Sequence, residues 1–204
     1  EHLGGTVVLA DIEPETLLIN PKEIEKKITK KTKVIIPVHF AGNSCDMDAI
    51  NAMAKARGIH VLEDAAHAFP TKYKGKMVGE TSNMCAFSFY ATKNITTSEG
   101  GALTGPTELI SKARVMGLHG MSKDAWKRFD KGGSWKYDIE VPGYKYNMTD
   151  VQSALGLAQL SRLKELMNTR TNVFNIYQKE FEGNKFFDLN KIPKDCESPY
   201  HLYI

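Results

Sequence analysis

The strongest constraint in this 204-residue chain is an alternation of two periodicities through its first hundred residues. Short β-branched or apolar runs stand at TVVLADI, KVIIPV, IHVLED and MCAFSF. Between the second and third, residues 46–57 (DMDAINAMAKAR) carry Met47, Ile50, Met53 and Ala54 as an apolar stripe at helical spacing, which Gly58 stops. The basic stretch PKEIEKKITKKTK at 21–33 reads as a surface helix: Asn20 caps it, Pro21 takes its first position, and Ile24 and Ile28 lie four apart. Strand, helix, strand, helix, strand predicts an α/β domain with a mainly parallel sheet. In such sheets functional residues gather at the carboxyl ends of the strands. Attention therefore falls on the residues just after IHVL and just after MCAFSF.

The next segments continue the alternation. GGALTG reads as a short strand, and 107–118 as a helix. Residues 121–143 are punctuated by Gly132, Gly133, Pro142 and Gly143, with Trp126, Phe129, Trp135 and Tyr137 among charges, and read as a functional or mobile loop. Thr149 with Gln152 three residues on is a capping-box signature. The stripe of Val151, Leu155, Ala158, Leu163, Met167, Phe174 and Phe181 then predicts a helix that, if unbroken, spans about 50 Å. The tail SPYHLYI reads as a first strand of a further unit.

Composition excludes several classes. With 42% hydrophobic residues, no apolar run long enough for a bilayer and no signal-peptide pattern, a globular domain outside the membrane is expected. A net charge of +3 carries no clustered basic face that would argue for nucleic acid. Cys45, Cys85 and Cys196 are widely spaced and odd in number, which fits neither a disulfide framework nor a zinc site and suits a reducing cytoplasm.

Three clusters lie where the fold argument points: Glu63-Asp64-Ala65-Ala66-His67, the FSFYATKN run containing Ser88 and Lys93, and TSEGGAL containing Glu99. A carboxylate at a strand end and an amine on a following loop suit pyridoxal phosphate, which needs an amine to bond to its aldehyde and a carboxylate to keep its ring nitrogen protonated. Spacing alone makes this a weak signal, because strand-end aspartates and loop lysines are common.

The strings VHFAGNSCDMDAI, VLEDAAHA, FSFYATKNITTSEGGAL and PGYKYNMTDVQSALGLAQL, in that order, resemble the DegT/DnrJ/StrS family over nearly the whole chain. That resemblance implies a fold-type-I, three-layer α/β/α sandwich and a pyridoxal-phosphate-dependent aminotransferase, which passes an amino group, from glutamate, to a keto group on a nucleotide-linked sugar. It implies that Lys93 is the Schiff-base lysine, that Asp64 partners the pyridine nitrogen, and that Ala66 packs on the ring. His67 stands where the family usually has Gln, near the ring hydroxyl. Ser88 matches the phosphate-binding serine. In GYKYNM, Lys145 replaces a usual Asn and Asn147 a usual Arg; the segment is expected to reach the cofactor phosphate of a neighbouring subunit, with Lys145 as a point charge and Asn147 left open. Glu99 with its two glycines is expected to serve a turn beneath the lysine loop and not to act in catalysis. No metal is expected.

Each residue also has a structural alternative: a solvated Lys93, a helix-capping Asp64, a satisfied core His67, a Ser88 bonded to its own backbone. A related sugar dehydratase would carry His at the lysine position, against Lys93. A rival from another class is an inactive scaffold that dimerises through the sheet and the long helix. On the resemblance, residues 1–182 form part of the large cofactor-binding domain and 183–204 start a small C-terminal domain. Family chains extend on both sides of this stretch, so a homodimer is expected of the whole protein, and no turnover of these 204 residues alone.

Overall fold

The computed structural model describes residues 1–122 and 137–204. Its centre is a mixed four-stranded sheet of order β1-β2-β5-β6, built from β1 (Val34–Ile35), β2 (His60–Asp64), β5 (Met84–Ser88) and β6 (Gly101–Thr104). β1, β2 and β5 run parallel, with Ile35 opposite Val61 and Asp64 opposite Ala86. β6 returns antiparallel, setting Gly101 opposite Ser88. A Cβ at Gly101 would meet the Phe87 carbonyl oxygen at 2.5 Å, so glycine is what lets this pair close. The fold class is the expected α/β one.

α2 (Met47–Arg57) forms where its stripe predicts. Asp46 caps it by accepting the Ala49 N–H at 3.1 Å, and Gly58 ends it in the left-handed region at φ 63°. Met47, Ile50 and Ala54 bury against Val61, Ile35, Leu18, Ile24 and Cys45 in the main core. β2 alternates accordingly: Val61 and Glu63 are buried, and Leu62 and Asp64 face the other way, half-buried. That opposite face of the sheet carries Ile36, Val38 and Leu103 at the surface.

Four expected elements differ. TVVLADI forms no strand: Val7, Val8 and Leu9 are exposed, and the one ladder contact is Ile12 opposite Ile19. β-branched residues favour extended backbone, but a strand is fixed by its pairing. α1 (Pro21–Lys27) begins as expected, with Asn20 Oδ1 accepting the Lys22 N–H, yet stops before the second Ile turn is complete. Thr29 and Thr32 hydroxyls accept the N–H groups of Lys31 and Thr29, which competes with the helix.

The long helix is two. α4 (Asp150–Ser161) starts on the full Thr149–Gln152 capping box, and α5 (Leu163–Phe181) follows a break at Arg162, whose ψ of 8° leaves helical geometry. A guanidinium–carboxylate contact from Arg162 to Glu165, 2.8 Å, holds the corner.

The tail is not a strand beyond β7 (Cys196–Glu197). β7 instead precedes SPYHLYI and pairs with β3 (Lys72–Tyr73), itself paired with β4 (Lys76–Met77). Pro199 lacks a ladder donor and Tyr200 has φ 53°, so the segment turns back. It is held by rings, Phe174 lying on Tyr200 at 4.1 Å and against Tyr203 at 5.2 Å. α3 (Thr107–Met116) forms as predicted. Most of the 121–143 loop lies outside the described residues.

Candidate active site

At the carboxyl edge of the parallel strands, Asp64 ends β2 and Ser88 ends the neighbouring β5. The backbone ladder continues past Pro37 to this edge: Asp64 N–H donates to the Pro37 carbonyl and His39 N–H to the Asp64 carbonyl, both at 2.9 Å. The Asp64 side chain turns up from the sheet, its Oδ1 accepting the Ala66 N–H at 3.0 Å. Ala66 and His67 come next, half-buried.

Lys93 sits half-buried in the loop leaving β5. The loop is closed by backbone bonds from Lys93 N–H to the Tyr90 carbonyl, 3.0 Å, and Thr97 N–H to the Phe89 carbonyl, 2.9 Å. Beneath it, the Glu99 carbonyl accepts from Thr97 Oγ1 and from the Gln152 amide of α4. Glu99 itself is exposed and meets the loop through its backbone carbonyl.

His67 connects the two groups electrostatically. Burial, then the positive charge of Lys93, pushes its imidazole below the ordinary value, and the Asp64 carboxylate partly offsets this. The charges of Lys93 and Asp64 therefore both act on this one ring. The His67 ring lies between Phe40, at 5.7 Å, and His201, at 4.5 Å. Its Nδ1 accepts a long bond, 3.4 Å, from the Ala41 N–H. His201 comes from the tail, and burial, His67, Arg170 and Lys93 together push it down to about 4. Both imidazoles are neutral at pH 7.

Ser88 Oγ accepts the Tyr90 N–H at 3.3 Å, the local backbone bond that is its structural alternative. The hydroxyl proton is not used in that bond.

A family model of the DegT/DnrJ/EryC1/StrS aminotransferase family matches residues 1–204. The chain belongs to that family. It is 50% identical over all 204 residues to the spore coat polysaccharide biosynthesis protein SpsC of Bacillus subtilis, covering 52% of that protein. Among solved structures it is similar to the putative sugar aminotransferase Spr1654 from Streptococcus pneumoniae in its PMP form, with TM-score 0.88, 37% identity, 99% of this chain and 56% of that one. Spr1654 is also known in a PLP form. Helicobacter pylori PseC, an aminotransferase of pseudoaminic acid biosynthesis, superposes with TM-score 0.89 at 34% identity, over 99% of this chain and 52% of that one. The chain thus spans about half the length of the relatives it matches.

Within this DegT/DnrJ/EryC1/StrS chain, Asp64 and Ser88 close neighbouring strands, Ala66 and His67 follow the first and Lys93 the second. Lys145 is exposed, pairs with Leu118 across an isolated bridge, and donates to the Asn147 Oδ1. The rings of Tyr144 and Tyr146 stack beside it at 4.8 Å. No three His, Cys, Asp or Glu side chains gather as a metal site among the described residues.

Sequence reasoning missed His39, Asn94 and His201. His39 and Glu63 form a sealed pair behind Asp64, at 2.9 Å. Asn94, adjacent to the lysine, and His201 in the tail are joined at 2.9 Å. A histidine inside the apolar PVHFAG run and an amide next to the lysine were the available signals, but neither spacing nor period pairs residues so distant in the chain.

Proposed function

We propose that the protein containing this chain is a pyridoxal-phosphate-dependent aminotransferase that passes an amino group, from glutamate, to a keto carbon of a nucleotide-linked sugar. The reading is supported by the carboxyl edge of the parallel sheet, where Asp64 and Ser88 end neighbouring strands, Lys93 stands on the loop after β5, and the charges of Lys93 and Asp64 both act on the His67 imidazole. The residues fit the cofactor in kind: one carboxylate, one amine on a loop, a hydroxyl, and a methyl-sized residue two positions past the carboxylate.

When bound, pyridoxal phosphate supplies an electron-withdrawing ring that takes up the electron pair released when a carbon next to nitrogen loses its proton. Asp64 would hold a proton on the ring nitrogen by charge and hydrogen bonding. Lys93 would bond the aldehyde and, once released, carry the proton between carbon atoms. Ala66 leaves a flat apolar surface for the ring. With Nδ1 accepting from Ala41, neutral His67 keeps Nε2–H as a donor, which is what the amide usual at this position provides. Ser88 would donate to the phosphate, and Lys145 would meet the phosphate held by a second copy, in a cytoplasmic homodimer. For the 204 residues alone, which span about half the relatives' length, the proposal is no turnover.

The test is covalent capture. The full-length protein, mixed with pyridoxal phosphate and reduced with borohydride, should carry the cofactor's mass on the Lys93 peptide. It should then transfer nitrogen from labelled glutamate to a nucleotide-linked keto-sugar, followed by mass spectrometry across a panel of such sugars. Attachment elsewhere, or none, overturns the assignment.

A further inference from the structure

Asn94 directly follows the reactive lysine and is one of the few buried polar side chains among the described residues. Its two polar atoms are both used. Nδ2 donates to the Phe69 carbonyl at 2.6 Å, and Oδ1 lies 2.9 Å from His201 Nδ1. A carbonyl can only accept, so the amide nitrogen must face Phe69 and the amide oxygen must face His201. The proton on His201 is thereby assigned to Nδ1.

Each partner belongs to a different part of the site wall. Phe69 sits two residues past His67, with its ring edge-on to Phe87 of β5 at 5.9 Å and to Phe89 at 6.3 Å. His201 lies against the His67 ring at 4.5 Å, and its own carbonyl accepts from Arg170 of α5 at 3.3 Å. One carboxamide therefore ties the lysine loop to the segment after β2 and to the tail. The loop's other bonds among the described residues lie within 88–100, fix its shape and reach neither His67 nor the tail.

We propose that Asn94 is a positioning residue: its bridge from the Phe69 carbonyl to the His201 imidazole sets Lys93 against His67 and Asp64. This rests on the reading of Lys93 as the group that bonds the cofactor. His201 contributes as a neutral ring, kept so by burial and by the charges of Lys93 and Arg170, so the bridge adds no positive charge beside the amine. The tail is then part of the active site's framework.

The test uses the full-length protein with two variants. Asn94→Ala removes both bonds. His201→Phe keeps a flat ring against His67 but offers Asn94 no nitrogen. Without cofactor, amide hydrogen exchange is read at 90–98 and 198–202. With pyridoxal phosphate, the rate of borohydride-trapped attachment at Lys93 and the visible circular dichroism of the bound cofactor are read. Asn94→Ala should speed exchange in both segments by tenfold or more, slow attachment at least tenfold, and change the dichroic band while thermal stability stays near that of the parent. His201→Phe should reproduce the tail effect and part of the attachment effect, and it decides the matter if Asn94→Ala does not fold. Attachment at the parental rate with an unchanged band in a folded variant overturns the proposal. Should the unaltered protein fail to attach cofactor at Lys93, the reading of Lys93 fails, and the paired exchange response alone decides whether Asn94 couples loop and tail.

Discussion

His39 donates its Nε2 proton to the Glu63 carboxylate across 2.9 Å, and solvent reaches neither side chain. The tautomer is fixed because His39 Nδ1 accepts the Cys45 N–H at 3.1 Å. The other Glu63 oxygen takes Thr81 at 2.8 Å and Asn83 at 2.7 Å. Burial alone would raise this carboxyl, but the bonds from His39, Asn83 and Thr81 outweigh it and hold it below the usual range. Removing one partner strands the others. His39→Leu should cost roughly 1.5–3 kcal/mol or more, the range for losing a hydrogen bond to a buried charged group. Urea unfolding measures it, and a loss under about 1 kcal/mol would show the pair to be dispensable.

Lys93→Ala in the full-length protein should abolish covalent capture and lower transamination by roughly 10²–10⁴-fold or more, the usual weight of a proton-transferring group. Lys93→Arg should fail as well, since a guanidinium keeps its proton and is no nucleophile. Steady-state turnover with glutamate checks both. Substantial activity in the Ala variant without an added amine would remove Lys93 from its role.

Asp64→Asn should leave the fold intact, because an amide oxygen can still accept the Ala66 N–H now bonded at 3.0 Å. It no longer carries the charge that favours a protonated ring nitrogen. The proton-removal step, read in single turnovers with glutamate, should slow by roughly 10²–10³-fold, as loss of one preorganised electrostatic partner does elsewhere. An unchanged rate would reduce Asp64 to a turn former.

Acid should weaken the fold in two separable windows. His201 is depressed to about 4 from 6.5. Above pH 6.5 the folded and unfolded forms are both neutral; between 6.5 and about 4 only the unfolded chain takes the proton, so stability falls as pH drops. Glu63, also depressed, contributes above the ordinary carboxylate range and is lost only below it. Melting temperature followed from pH 7.5 to 4.5 should therefore decline, by roughly 2–4 °C per kcal/mol for a domain of this size. His201→Phe should flatten the upper part of that decline. Parallel slopes for the two proteins would refute the assignment.

The thiols should be inert. Burial pushes Cys45 and Cys85 up to about 12, with the Glu63 charge adding to both, and burial raises Cys196 as well. Native protein at pH 8 should resist iodoacetamide at all three and react fully in urea. Rapid native labelling of Cys45 would contradict its burial.

How much the chain discloses by itself depends on the range of the interactions. α2 was legible because its stripe and its Gly58 stop lie close together in the chain, and the places of Asp64 and Ser88 because they close apolar runs that read as strands. TVVLADI misled, since local preference says nothing of a ladder partner. The break at Arg162 was hidden because a few residues of stripe continue across it almost in phase. His201 was out of reach: it meets Asn94 from 107 residues away, through a tail whose strand-like composition is overridden by Pro199 and ring packing.

Glu63 and Asp64 are neighbours in sequence with opposite surroundings, one sealed against His39 and the other turned to the site. That division depends on parity. Adding or deleting one residue between Gly58 and Leu62 would turn the strand over, presenting the wrong carboxylate to each side. Insertions and deletions there should be tolerated far less than substitutions, although no chemical group would be lost. At this edge, which group faces which side is encoded in an odd-or-even count as much as in the residues themselves.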